Sequence, residues 1–421
     1  MKRSLHFATW LLLCLIIFFC YSCTTAIESD WLGPNRNGKY PASGLLSEWP
    51  EDGPVLLWKY DSLNWGHSSP AITGDAIYIT GMPDSTSGYL YCLDLNGKLR
   101  WRDLYGAEFK SNYTGSRSAP VIAGNYLYLI TGAGELICYD LPKKTKRWSI
   151  DFLEEFSDSL PTYGHAQSPL IVGNRIYCVP GGKEHNVVCL NRKSGKLIWS
   201  CKGASNNPSY SSPILVNHDG RKIVVAITQD EIMGIDARRG ELLWTVAFHP
   251  FFVNHINTPV YHNGIVYMAS EAGKGKGGII AIQLHNRGSE AEVLWERKDI
   301  RNMLAGLMIH NNRLYSGMYR QKKWICLDPY TGQTISQWQD ETYSGNITYA
   351  DGHFYVLSYG GTVNLWAEAD TGISIISRFK MDIELYYPFS PLWAYPVIKD
   401  KVLYIRHKGN LFAYDIGDKS R

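Results

Sequence analysis

One phrase recurs along this chain at a nearly fixed interval. It reads "CLDLNGKLRW" at 92–101, "CYDLPKKTKRW" at 138–148, "CLNRKSGKLIW" at 189–199, "GIDARRGELLW" at 234–244 and "CLDPYTGQTISQW" at 326–338. A stretched copy, "AIQLHNRGSEAEVLW", ends at Trp295, and "LWAEADTGISIISRF" ends at Phe379 in place of Trp. The closing tryptophans stand at 101, 148, 199, 244, 295 and 338. Their separations sit near the ~40–50 residues of one four-stranded propeller blade.

Each copy has a physical reading. A small residue and an Asp end one strand, the Asp carboxylate can bond the amides of the turn, and the Gly accepts positive φ. The turn joins antiparallel neighbours in a hairpin. The returning strand carries its Trp to a regular place, where a large ring fills the gap against the next blade. These tryptophans read as core packing.

A second phrase precedes each copy, as in "SSPAITGDAIYITG" (68–81), "SAPVIAGNYLYLITG" (118–132) and "TPVYHNGIVYMAS" (258–270). It is a short β-branched run, a Gly/Asn/Asp turn and a Tyr-centred run, so it too is a hairpin. Eight of these occur, the last being "YPVIKDKVLYIRHKG" at 395–409. The expected fold is all-β: an eight-bladed β-propeller of four-stranded antiparallel blades. The last blade ends early, at "LFAYDI" (411–416), while "VLLWKYD" (55–61) is a Trp strand with no blade before it. Pairing the two closes the ring and removes an exposed edge. The propeller is thus expected over 55–416, with a tail at 417–421.

Residues 1–22 read as an export signal: Lys2 and Arg3, then the apolar "WLLLCLIIFF". The apolar run is short for a membrane span. Ser22 before Cys23 resembles a bacterial lipobox, in which the Cys becomes the lipidated first residue, leaving 23–54 as an N-terminal extension. This predicts a lipoprotein on the periplasmic or cell-surface side of the outer membrane. Cys20 and Cys23 have C-x-x-C spacing, but Thr24 follows rather than His, which excludes a haem attachment.

Cys92, Cys138, Cys189 and Cys326 hold the same slot in different blades, too far apart to bridge, and read as small buried residues. Cys178, Cys189 and Cys201 share one blade, where a single disulfide is open. The net charge of +3 and the lack of a basic stripe argue against a nucleic-acid reader.

The phrase D-x-x-T-G-x-x-x-W, written with an insertion from Asp328 to Trp338, resembles the tryptophan-docking repeat of eight-bladed propellers of the pyrroloquinoline quinone (PQQ) type. "DWLGPNRNGKYPASGLLSEWPEDGPVLLWKYD" (30–61) is similar to the leading segment of exported relatives of the outer-membrane protein assembly factor BamB. That family implies two trades. Quinoprotein dehydrogenases hold PQQ and calcium in the ring centre and oxidise alcohols or sugars. Assembly-factor lipoproteins bind no cofactor and use the ring as a docking platform. The chain carries no adjacent Cys-Cys pair, no haem motif and no acidic cluster of calcium-loop type. The expectation is therefore a monomeric, non-enzymatic scaffold without cofactor, binding an envelope protein or a small polar ligand. The alternative is a PQQ-dependent alcohol or sugar dehydrogenase, or a sugar-binding module.

Six segments lead into innermost strands and place His67, Arg117, His165, Tyr210, His255 and Trp393 at comparable positions. Gathered round the channel mouth, they could bind an anionic or sugar-like ligand. Equally, they could cap strand ends and bond channel water.

Overall fold

The computed structural model describes residues 27–419 apart from 158, 252–254, 320, 341–342, 371 and 385–391. The export segment and Cys23 lie outside the described residues. The chain forms eight antiparallel sheets arranged as successive blades. Blades 1 to 7 span 71–107, 121–151, 170–201, 214–247, 260–297, 307–339 and 346–380. Blade 8 takes its three inner strands from 397–415 and its outer strand from Val55–Tyr60. In that closing pair Val55 faces Asp415 and Tyr60 faces Leu411. The ring is closed as its sequence predicts. Helix is confined to Phe152–Glu155 and a 3-10 turn at Asn286–Gly288 among the described residues.

The repeated phrase works as its chemistry requires. Asp328 Oδ1 accepts the amides of Tyr330 and Thr331, both at 2.8 Å, and Gly332 turns at φ +68°. A Cβ on Gly332 would stand 2.7 Å from the ring of Trp295, the closing tryptophan of the preceding blade. Trp295 also donates from Nε1 to the Pro329 carbonyl, at 2.8 Å. The same docking joins Trp58 to Gly97, Trp148 to Gly195 and Trp199 to Gly240. The small slot has its own cause. Cys92 lies directly across the sheet from Trp101, Cys138 from Trp148, Cys189 from Trp199, Gly234 from Trp244 and Ala281 from Trp295. A larger residue there would meet the indole. In blade 7, where Phe379 replaces Trp, the extension supplies Trp49, edge-on at 5.3 Å.

The apolar core is a series of clusters between neighbouring blades. Blade 8 packs Tyr404 and Leu411 against Ile77 and Tyr91 of blade 1. Each blade is therefore stabilised by its two neighbours, and closure supplies the last interface. Cys92, Cys138, Cys178, Cys189, Cys201 and Cys326 are all free and buried, so no bridge forms in blade 3.

Candidate functional site: the two faces and the channel

Innermost strands run from one face, carrying the long inter-blade loops, to the other, carrying the tight turns. We call these the loop face and the turn face. Ile27–Ser29 adds antiparallel to Val121–Ala123, the innermost strand of blade 2, so the chain climbs the channel from the turn face. Lys39 bridges Tyr349 in parallel, so the chain descends and leaves by the same face. Between these points it touches every blade. Ser29 Oγ accepts the Ile72 amide of blade 1 at 3.1 Å. Arg36 donates from Nη1 to the carbonyls of Ser168 and Pro213, at 3.2 and 3.1 Å, and from Nη2 to that of Pro169. Trp31 donates from Nε1 to Thr258 Oγ1 at 3.1 Å and meets the Tyr395 ring edge-on at 5.3 Å. A Cβ on Gly38 would stand 3.0 Å from Met308 Cε, and Tyr40 donates its amide to the Tyr349 carbonyl at 2.9 Å.

The plug is locked by a buried ion pair. Arg36 Nη2 lies 2.7 Å from Asp30 Oδ1 and Arg36 Nε 3.1 Å from Oδ2, with both side chains about 96–97% covered. Burial lifts the Asp30 carboxyl above its ordinary value, against the downward pull of Arg36. Desolvation on that scale is why such a pair is costly to break.

The loop face gathers aromatic side chains. Trp393 lies 4.6 Å from His67 and 5.2 Å from Tyr113, Tyr113 lies 5.7 Å from Tyr163, and Tyr163 lies 6.0 Å from Tyr210. This arc joins loops of blades 8, 1, 2, 3 and 4. Tyr113 is exposed, while Tyr210 is nearly covered and its hydroxyl accepts the Tyr163 amide at 3.1 Å. Arg117 braces the arc from below. It donates to the carbonyls of Gly115, Asn112 and Tyr113, each at 2.9 Å, and its guanidinium lies 5.2 Å over Phe109. His67 keeps Nε2 shut from solvent, and its pKa is pushed down to about 3 by burial, then by Arg117 and Arg406.

Of the six residues singled out by sequence, the structure brings together His67, Arg117, Tyr210 and Trp393. His165 and His255 do not join that surface. His165 is wholly buried against Phe152, 5.4 Å away, with neither ring nitrogen partnered. His255 stacks on Phe248 at 5.0 Å, with Nε2 2.8 Å from the Phe248 carbonyl. Burial lowers both to a pKa of about 4, so they are neutral imidazoles of the blade interfaces. Tyr113, Tyr163 and the plug residues Asp30, Trp31 and Arg36 were not foreseen. Only the nearness of "DWLGPNR" to the start of the ring could have drawn attention to them.

A space beside the plug, lined by Leu32, Arg36, Thr258, Leu307 and Tyr395, is about 10 Å³. That is room for about one water. A bound cofactor needs a pocket of roughly 300 Å³ or more. Among the described residues no group of three or more His, Cys, Asp or Glu is placed to hold a metal. That space beside the plug is too small for a quinone.

Fold and channel together define a closed, self-plugged eight-bladed propeller with tryptophan-docked blades. The chain belongs to the family of the outer membrane protein assembly factor BamB, whose family model matches residues 86–339. BamB of Moraxella catarrhalis superposes with a TM-score of 0.62 at 17% identity, over 86% of this chain and 99% of that one. A europium-containing methanol dehydrogenase superposes with a TM-score of 0.57 at 12% identity, over 91% and 90%. Likenesses at these identities concern the fold. In sequence, the quinoprotein alcohol dehydrogenase PedH of Pseudomonas putida is 26% identical over 188 residues. That stretch is 41% of this chain and 29% of PedH, so the chain matches less than a third of that relative.

Proposed function

We propose that this protein is an exported, lipid-anchored docking platform of the cell envelope, working without cofactor or catalytic step. The observation that carries this reading is the plug. Residues 27–40 occupy the space where the fold's enzymes would keep a cofactor, and the face that remains for binding is the loop face with its aromatic arc. Aromatic rings offer large, rigid contact area at low entropic cost, which suits a protein partner. Anchoring rests on Ser22-Cys23: several acyl chains hold a protein on a membrane, whereas one gives only marginal binding. Cys23→Ser should move the protein from the membrane to the soluble fraction. The docking reading is tested by crosslinking in envelopes from a photoreactive residue at Tyr113. A specific envelope protein captured there, and lost with Trp393→Ala, supports it, whereas no adduct at Tyr113 counts against it.

A further inference from the structure

We infer that the turn face of blades 2 to 4 is a seat for an anionic phospholipid surface, so that the loop face points away from the membrane. This goes beyond the docking reading and borrows only the anchor at Cys23 from it. Two independent observations converge on the same sector. The first is charge. The outer turns of blades 2, 3 and 4 present Lys143, Lys144, Lys193, Lys196, Arg238 and Arg239, all exposed. The corresponding turns of blades 6 and 7, at 328–333 and 369–372, carry no Lys or Arg. The acids of this sector offset part of that charge: Asp140 and Asp236 are buried and accept amides of their own turns, Glu241 lies 3.5 Å from Arg239, and the exposed Asp219 lies 3.6 Å from His218. A chain of net charge +3, in which no basic stripe is legible from the sequence, thus gathers six positive groups on the turn face of three neighbouring blades.

These turns form a continuous strip. Arg147 of blade 2 donates to the Lys193 carbonyl of blade 3 at 3.4 Å, and Arg175 of blade 3 donates to the Arg238 carbonyl of blade 4 at 2.8 Å. These side-chain-to-carbonyl bonds tie neighbouring turns together, so their charges are presented side by side to a flat anionic surface.

The second observation is where the chain leaves the ring. Ile27 pairs with Ala123, at the turn-face end of the innermost strand of blade 2, on the same face as the basic strip. Cys23 is four residues earlier, so any anchor there lies within ~14 Å of that point when the chain is fully extended. That is comparable with the ~8–10 Å over which surface charges act at physiological salt. A tether at this position delivers the strip to the bilayer instead of holding it away. Clustered Lys and Arg near a membrane are drawn to anionic headgroups, and each adds to the attraction.

The test separates the strip from the anchor. Residues 24–421 contain every described element of the propeller and lack Cys23. This form is sedimented with vesicles of phosphatidylcholine plus phosphatidylglycerol, and with phosphatidylcholine alone. It should bind only the anionic vesicles and be released by high salt. Joint substitution Lys143→Glu, Lys193→Glu, Lys196→Glu and Arg238→Glu should weaken that binding at least about tenfold. The matched loop-face set Lys110→Glu, Lys183→Glu, Lys276→Glu and Lys322→Glu, which changes net charge equally, should leave binding within about threefold of the parent. Unchanged melting shows that both variants are folded. Equal losses from the two sets, no anionic preference, or a turn-face loss seen for a soluble polyanion but not for vesicles would each overturn the proposal. A full-length chain that fails to hold on neutral vesicles would refute the anchor and leave the strip standing.

Discussion

Single residues in this propeller are chosen by what stands across from them. Gly332 is fixed twice, by its positive φ and by the Trp295 ring where a Cβ would go. Gly332→Ala should cost about 1–3 kcal/mol through left-handed strain and displacement of the indole. Thermal unfolding would show it, and Gly352→Ala makes a control, because Gly352 also has positive φ but open space around its Cβ. His165 yields a pH prediction. Its folded pKa, about 4, lies below the 6.5 of an exposed imidazole because of burial. Between those values the unfolded chain binds a proton that the folded one refuses, so stability falls as pH drops from 6.5 toward 4. The slope from one such group is at most about 1.4 kcal/mol per pH unit. His165→Phe should flatten the dependence in that window, measured by denaturant unfolding at several pH values, and an unchanged slope would contradict the assignment. The small slot opposite Trp101, Trp148, Trp199, Trp244 and Trp295 was legible in the sequence as a Cys, Gly or Ala, though its reason became visible only with the register, and opposite Trp338 stands Trp324 instead. The side-chain directions of the six loop residues were not legible. Equivalent positions before innermost strands fix a face, but His165 and His255 rotate into apolar interfaces while Trp393 turns to its aromatic neighbours.

Two segments of the N-terminal region behave as elements of the ring. The closing strand Val55–Tyr60 brings Trp58, which covers Gly97 of blade 1 and donates to the Leu95 carbonyl at 2.9 Å. Trp58→Ala should therefore destabilise like loss of any other docking tryptophan, by roughly 2–3 kcal/mol, somewhat under the full-burial range because its edge is exposed. A comparison with Trp295→Ala by calorimetry checks that the seam is an ordinary blade interface, and a negligible effect of Trp58→Ala would refute it. The plug depends on Asp30 and Arg36. Arg36→Ala strands a buried carboxylate and should cost about 3–5 kcal/mol. Asp30→Asn with Arg36→Met should cost much less than the two single losses together, because no uncompensated charge remains. The closing strand was readable, since an orphan Trp strand at one end matched a missing strand at the other. The plug was not. "DWLGPNRNGKY" has neither strand alternation nor helical period, and its partners are backbone and side-chain groups scattered over distant blades, which leave no local mark.

At the scale of the whole molecule, a ring whose channel holds its own N-terminal segment has little room inside and two unlike faces outside. The turn face carries the chain's way in and a basic strip, and the loop face carries aromatic side chains. This arrangement suits a body held at a surface that presents its far side to a partner. The fold alone would equally serve an oxidoreductase, so what separates the two trades is occupancy of the channel. A quinoprotein must hold its cofactor tightly, because the quinone carries the chemistry and the protein positions it. The most direct measurement is a calorimetric titration of the purified protein with pyrroloquinoline quinone in the presence of calcium, paired with an assay of dye reduction by alcohols and aldose sugars. The self-plugged platform predicts no saturable heat and no quinone-dependent dye reduction. Stoichiometric, tight quinone binding accompanied by turnover would contradict it and make the protein an enzyme.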